Sequence, residues 1–195
     1  MRDADLQGRL AFIQAAEQLK SVLRCAYTAT GRQESTPEHS WRLCLLAMVL
    51  QDSLGPLDFE RVLKMCVIHD LGEALHGDVP AIAQGAGSHK SESERHDLID
   101  LMAPLPAQLQ TELLGLWDDY EQAASAEARA VKALDKLETL IQHNQGQNPP
   151  DFDYAFNLSY GQQYTAADPL FAQLRRLVDA QTQQRLAAAT QSPSP

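Results

Sequence analysis

Apolar residues recur at helical spacing through most of the chain. Between Leu10 and Leu23, the positions Phe12, Ile13, Ala16, Leu19 and Leu23 predict an amphipathic helix whose end carries Lys20 and Arg24. The polar stretch ATGRQES separates it from a second helix. There Thr36 can cap, Pro37 fits the first helical position and Glu38 suits the positive end of the helix dipole. His39 then falls in the first turn, and His39, Leu43, Leu46 and Leu50 share one stripe that turns the imidazole toward the core. After the turn SLGPLD, Asp58 predicts the cap of a third helix running to about Ala74, broken by Gly77 and Val79-Pro80.

A further helix is predicted from near His89 through Met102, ending at the prolines of APLPAQ, and another from Leu105 to Tyr120. In SAEARAVKALDKLETLIQ, Ser125 precedes a long periodicity. Ala128, Val131, Asp135, Glu138 and Gln142 lie along one stripe beside Leu134, Leu137 and Ile141, so Asp135 sits near a buried seam. Residues 144–168 are polar, aromatic and Gly/Pro-bearing, which reads as an irregular segment or short helices over the surface. A last helix runs from Pro169 to about Ala189, and the tail TQSPSP is expected to be disordered. No segment alternates with period two and no internal repeat is present. The expected fold is all-α, a compact single-domain helical bundle over residues 1–189 followed by a tail at 190–195.

Composition narrows the function. A chain of 195 residues with 44% hydrophobic content can bury one sizeable core. Its formal net charge of -10 argues against a nucleic-acid polymer as partner, because such binding rests on clustered Lys and Arg. A small phosphorylated substrate needs only one local cationic pocket. Cys25, Cys44 and Cys66 form no CxxC, and their odd number implies reduced thiols, with Cys44 and Cys66 reading as small core residues. No apolar run reaches the roughly 18 residues that span a bilayer, and MRDADLQGRL is too polar for a signal peptide. A soluble cytoplasmic protein without a membrane partner is expected.

The stretch IHDLGEALHGDVP concentrates chemistry. His69 and Asp70 directly follow Val62, Leu63, Met65, Cys66, Val67 and Ile68, and Glu73, His76 and Asp78 come soon after. Three predicted helices therefore each bring a metal-ligating residue type inward: His39, His69 with Asp70, and Asp135. Singly, each could be a hydrogen-bonded core residue, Asp135 for example paired with Lys132. Together, without a cation, they would carry a desolvation penalty of several kcal/mol per unpaired charge. Two imidazoles and two carboxylates form a set able to hold one divalent ion such as Mn, Co, Fe, Ni or Mg.

The segments PEHSWRL, LKMCVIHDLGEALHGDVP, LLGLWDDYE and EARAVKALDKLE resemble the HD-domain metal-dependent phosphohydrolases, and more closely their 5'-deoxynucleotidase group, over roughly residues 10–145. The resemblance implies a compact helical bundle, commonly a homodimer, with a divalent metal on His39, His69, Asp70 and Asp135. It further implies Glu73 as the group that deprotonates or orients a water. Asp78 becomes a substrate-side carboxylate that binds a sugar hydroxyl, helps proton transfer or approaches a second metal. Arg24, fifteen residues before His39, matches the phosphate-contacting Arg of the family. Lys20 and Arg32 are further cationic candidates, each also readable as a solvated charge. One departure stands beside Arg24: the bacterial deoxynucleotidases carry a Trp that crowds the sugar 2' position, whereas this chain has Cys25.

The expected activity is hydrolysis of (deoxy)nucleoside 5'-monophosphates to nucleoside and phosphate. The alternatives are an HD-type phosphohydrolase for another small phosphate ester or nucleotide, and a non-catalytic nucleotide-binding sensor. Cleavage of a triphosphate needs more cations near Arg24 than the sequence places there. His76 reads as exposed or supporting, His89, His96 and His143 as surface residues, and Trp41 and Trp117 as core or subunit-contact aromatics.

Overall fold

The computed structural model describes residues 2–78 and 90–191. The expected break at Val79-Pro80, the placement of His89 and the end of the tail at 192–195 lie outside them. The elements run α1 (Asp3–Ala16), a 3-10 turn (Glu17–Ser21), β1 (Leu23–Tyr27), β2 (Gln33–Ser35), α2 (Thr36–Val49), a second 3-10 turn (Gln51–Ser53), α3 (Phe59–Ile68), α4 (Glu73–His76), α5 (Lys90–Met102), α6 (Ala107–Gln122), α7 (Ala126–Gln145), α8 (Tyr154–Asn157), α9 (Gln162–Thr165) and α10 (Pro169–Gln191). The bundle is all-α apart from one small hairpin. Among the described residues, no helix is long and apolar enough to cross a membrane.

The organising element is α7, which packs against α2, α3, α6 and α10. A helix enclosed by neighbours must be apolar nearly all round. Accordingly Ala128, Val131, Ala133, Leu134, Leu137 and Leu140 are all buried. The Ser125 hydroxyl accepts from the Ala128 amide and starts the helix where its sequence predicts. Leu43 and Ala47 of α2 and Val62, Met65 and Cys66 of α3 close the same core.

Three local expectations change, each with consequences for the site. The first helix ends at Ala16 and its stripe does not stay buried: Leu19 packs inside, but Ile13 and Leu23 are exposed. The chain tightens through the 3-10 turn and then extends, so Arg24 stands on a strand and not on a helix end. β1 pairs antiparallel with β2, Leu23 opposite Ser35 and Tyr27 opposite Gln33, with an irregular register between them. Strands this short, one of them bulged, leave no period-two signal.

At α2 the cap is Ser35, one residue before the expected Thr36. Ser35 and Glu38 form a reciprocal capping box, and Arg32 braces Glu38 from outside at 2.7 Å. The Thr36 hydroxyl is thereby released for another partner. Finally, α3 stops at Ile68 and does not run to Ala74. The chain turns through residues 69–72 before the short α4 and ends at Gly77, whose φ of 87° favours glycine. Gly72 allows that turn to press on α5, since a Cβ there would stand 2.4 Å from the Glu94 carbonyl oxygen.

Candidate functional site

His69 and Asp70 occupy the break between α3 and α4. His39 comes from the first turn of α2 and Asp135 from mid-α7. Each imidazole is fixed from behind. His39 directs Nδ1 at the Glu138 carboxylate, and His69 directs Nδ1 at the Cys66 carbonyl, 3.1 Å away. Both partners only accept, so each Nδ1 carries the hydrogen and each Nε2 is turned inward with a lone pair to offer.

Those two Nε2 atoms are buried and make no hydrogen bond among the described residues. They converge on two carboxylates. His39 Nε2 lies 3.2 Å from Asp135 Oδ1 and 3.8 Å from Asp70 Oδ2, and His69 Nε2 lies 3.1 Å from Asp70 Oδ2 and 4.0 Å from Asp135 Oδ1. Donors that share one ion at about 2.0–2.3 Å stand roughly 3–4 Å from one another. The mutual spacing of His39, His69 and Asp70 fits a single cation, Asp135 Oδ1 stands beside both imidazoles, and the donor chemistry suits a divalent ion.

The supporting contacts point the same way. Asp135 uses Oδ2 to accept from the Tyr120 hydroxyl at 2.6 Å and from Lys136 Nζ at 2.8 Å, leaving Oδ1 for the imidazoles. Arg42 holds Glu138 behind His39. Glu34 also comes close to His39 and Glu138, but Glu138 is already committed to His39 Nδ1 and Arg42. Burial and Arg24 disfavour a charged His39, yet Glu138 and Asp135 outweigh them and raise its imidazole to about 9. Burial likewise opposes ionisation of Asp70, but His69, Arg24 and His39 hold its carboxyl well below the usual range. Lys136 and the two imidazoles do so for Asp135, again against burial. The cluster demands positive charge where the Nε2 atoms meet, and a metal ion meets that demand by displacing protons.

Glu73, at the start of α4, is almost wholly buried. Its Oε2 accepts from the Thr36 hydroxyl at 3.2 Å and its Oε1 from Lys90 Nζ at 3.3 Å. Burial, with Asp70 and Asp78 close by, pushes its carboxyl up to about 9 despite Lys90 and Arg24. Without a cation that carboxyl keeps its proton at neutral pH, and a cation on the neighbouring ligands would draw it back toward the range in which it can take one from water. Arg24, on β1, donates to Asp70 Oδ2 and to the Thr139 hydroxyl, both at 3.1 Å. Asp78 lies 3.5 Å from Lys90 Nζ. Arg24, Cys25, Glu73, Asp78 and the His69-Asp70 pair all line one cavity of about 900 Å³.

Other sequence candidates fall elsewhere. Lys20 is exposed beside Glu17, and Arg32 serves the α2 cap. Lys132, the expected partner of Asp135, instead donates to the Tyr120 and Glu121 carbonyls, and Lys136 takes the role. His76 is exposed and bonded to Asp97, and His96 is exposed near Asp100. Trp117 is core, whereas Trp41 is exposed. Sequence reasoning missed Lys90, Lys136 and Tyr120, whose inward reach depends on packing. It also missed the segment 149–164, which supplies much of the cavity wall through Phe152, Phe156, Tyr160 and Tyr164.

His143 corrects a further expectation: it is not a surface residue. It is half-buried against Phe152, with Nδ1 3.1 Å from Asn157 Oδ1, and burial pulls its imidazole down to about 4. A base whose folded pKa is depressed contributes stability that is present above its unfolded value, about 6.5. That stability is lost as pH falls from there toward 4, by up to about 1.4 kcal/mol per pH unit. Urea unfolding across this window is expected to show a steeper acid loss for the wild type than for His143→Gln. Parallel profiles would refute the assignment.

Comparison with known proteins identifies the family. The model of the HD domain matches residues 16–175. The chain is similar to the 5'-deoxynucleotidase HDDC2 of Danio rerio, 32% identical over 139 residues that make up 70% of this chain and 68% of that one. With the Homo sapiens protein of the same name it shares 33% over 135 residues, 68% of this chain and 65% of that one. The match thus spans about two thirds of these relatives. Among solved structures, a protein of Magnetospirillum magnetotacticum described as a predicted metal-dependent phosphohydrolase superposes with a TM-score of 0.82 at 25% identity, covering 97% of both chains. With the domain matched over most of its length, this chain belongs to the HD domain family.

Proposed function

We propose that the protein is a metal-dependent phosphomonoesterase that hydrolyses deoxynucleoside 5'-monophosphates to nucleoside and phosphate. The observation that carries this reading is the pair of buried, unbonded imidazole Nε2 atoms facing Asp70 and Asp135. Relatives named as 5'-deoxynucleotidases direct the substrate class.

His39, His69, Asp70 and Asp135 hold one divalent cation, of which Mn, Co, Fe, Ni and Mg suit the donor set; when bound it supplies Lewis-acid polarisation of the phosphoryl group. Glu73 takes the proton of the attacking water. Arg24, already aimed at the site through Asp70, binds the phosphoryl oxygens and offsets their charge. Asp78 holds the sugar side, and the departing 5'-oxygen takes up the proton that Glu73 removed from the water. Water is added, the P–O5' bond breaks, and nucleoside and phosphate leave.

Lys90, Lys132 and Lys136 also line the cavity, which reopens the question of larger phosphates. Each stands beside a carboxylate: Lys90 by Glu73, Asp78 and Glu94, Lys132 by Glu121, and Lys136 by Asp135. They balance an acidic wall, and the monophosphate reading stands. Cys25 beside Arg24 leaves the 2' side without a bulky ring, so ribonucleotides are accepted alongside deoxyribonucleotides. The deciding test is phosphate release by the metal-reconstituted protein across paired ribo- and deoxyribonucleoside monophosphates. Absence of release with every divalent metal would overturn the activity, and tight binding without turnover would favour a sensor.

The chain is further proposed to form a homodimer in the cytoplasm, where its three unpaired cysteines stay reduced. Trp41, Leu45, Met48 and Val49 form an exposed apolar stripe on α2, a face suited to a second copy. Light scattering is expected to report twice the 21.5 kDa chain mass, and Trp41→Glu to shift it toward the monomer. A monomeric wild type would end the dimer proposal.

A further inference from the structure

The cavity is much larger than a phosphate requires, and residues 149–164 line it with side chains of a different kind from those of the ionic cluster. Phe156 and Tyr160 stack on each other, ring centroids 5.5 Å apart and planes at 30°. Both are only half-buried although they line the cavity, so aromatic surface stays accessible there. Lys136 links this pair to the ionic cluster: its Nζ is 2.8 Å from Asp135 Oδ2 and 5.4 Å from the Tyr160 ring centroid. The stacked pair thus begins two contacts from a proposed metal ligand, a short step in a molecule that joins a phosphate to a flat ring through one sugar.

The backbone beneath the pair is held with unusual investment. Arg175 of α10 is buried and spends its guanidinium on the carbonyls of Tyr160 at 2.6 Å and of Asn157 and Leu158 at 2.9 Å, with Nε on Asp179. Gly161, at φ 68°, lets the chain pass against α7, where a Cβ would meet the Lys136 side chain at 2.7 Å. Asn157 is fully buried in the same wall, its Oδ1 against His143 and its Nδ2 without a hydrogen-bond partner among the described residues. A pre-organised aromatic platform loses little entropy when a ring stacks on it.

We infer that residues 149–164 form a nucleobase subsite, with Phe156 and Tyr160 as the stacking platform. The inference deepens the phosphomonoesterase reading and rests on it for the placement of the phosphate end. Stacking tolerates every base, because each has a π-face, so the subsite distinguishes nucleotides from other sugar phosphates more than it distinguishes one base from another.

The test compares deoxyadenosine 5'-monophosphate with 2-deoxyribose 5-phosphate, which has the same phosphate and sugar but no base, on metal-loaded full-length protein. Phe156→Ala is expected to raise KM for the nucleotide about tenfold, with kcat within about twofold and the sugar phosphate unaffected, and Phe156→Trp to restore KM. Calorimetry with deoxyadenosine, which needs no turnover, is expected to show binding to the wild type and about tenfold weaker binding to Phe156→Ala. Equal effects of Phe156→Ala on both phosphates, or nucleoside binding indifferent to it, would overturn the subsite. No hydrolysis of either phosphate together with Phe156-dependent nucleoside binding would instead overturn the phosphatase reading and leave the subsite standing. A circular-dichroism melt separates both from misfolding.

Discussion

His69→Ala is expected to abolish bound metal and to lower kcat/KM on deoxynucleoside 5'-monophosphates by at least about 10³, since Lewis-acid stabilisation of a phosphoryl transition state is worth several kcal/mol and each 1.4 kcal/mol is tenfold. The Nε2 atom faces the metal cluster, while Nδ1 on the Cys66 carbonyl and edge-on packing against His39 and Tyr120 hold the ring. The protein should still fold. Arg24 and Lys136 remain beside Asp70 and Asp135 and keep the two carboxylates compensated, and the core of α3, Val62, Met65 and Cys66, is untouched. Elemental analysis and phosphate release on the same preparation check the two halves. A variant that lost its metal but kept its activity would refute metal-assisted hydrolysis, and one that kept both would remove His69 from the ligand set.

How much of this was legible beforehand follows from which physical signals a sequence carries. His39 and Asp135 could be placed because each lies on a helix whose apolar stripe recurs at regular spacing, Leu43 beyond the one and Val131 and Leu134 around the other. His69 and Asp70 stand out because they follow a buried apolar run. Arg24 is indicated by the family resemblance, but its strand is not legible: five residues opposite three, with a register irregularity, look like loop. The cap of α2 falls one residue before the expected Thr36 because Ser35 and Thr36 can both cap, and Glu38 reaching back to Ser35 decides between them.

Partner choice was harder still. Lys132 lies three residues before Asp135 on α7 and Lys136 directly after it, so helical spacing favours Lys132. Packing against Tyr120 and Glu121 draws Lys132 away, and Gly161 presses the Lys136 stem into place. The wall at 149–164 had no periodicity to read. Its order comes from Arg175, some fifteen residues away in sequence, binding its carbonyls. Side chains fixed by tertiary contacts of this kind leave no local trace.

Glu73→Gln is expected to separate proton transfer from metal binding. The amide keeps the size of the carboxylate and can still accept from the Thr36 hydroxyl through its oxygen, so α4 should hold its place. What disappears is the capacity to take a proton. Burial, Asp70 and Asp78 raise that capacity in the structure, to a value near 9, and a cation held by the neighbouring ligands draws it back toward the working pH. General-base assistance contributes about 10²–10⁴ in rate, so kcat should fall by that factor while metal content matches the wild type and KM changes little. The contrast with His69→Ala, where metal and activity vanish together, assigns the two residues to different tasks. Wild-type kcat in Glu73→Gln would show that the attacking water loses its proton elsewhere, with Asp78, which shares Lys90 with Glu73, the next carboxylate to replace.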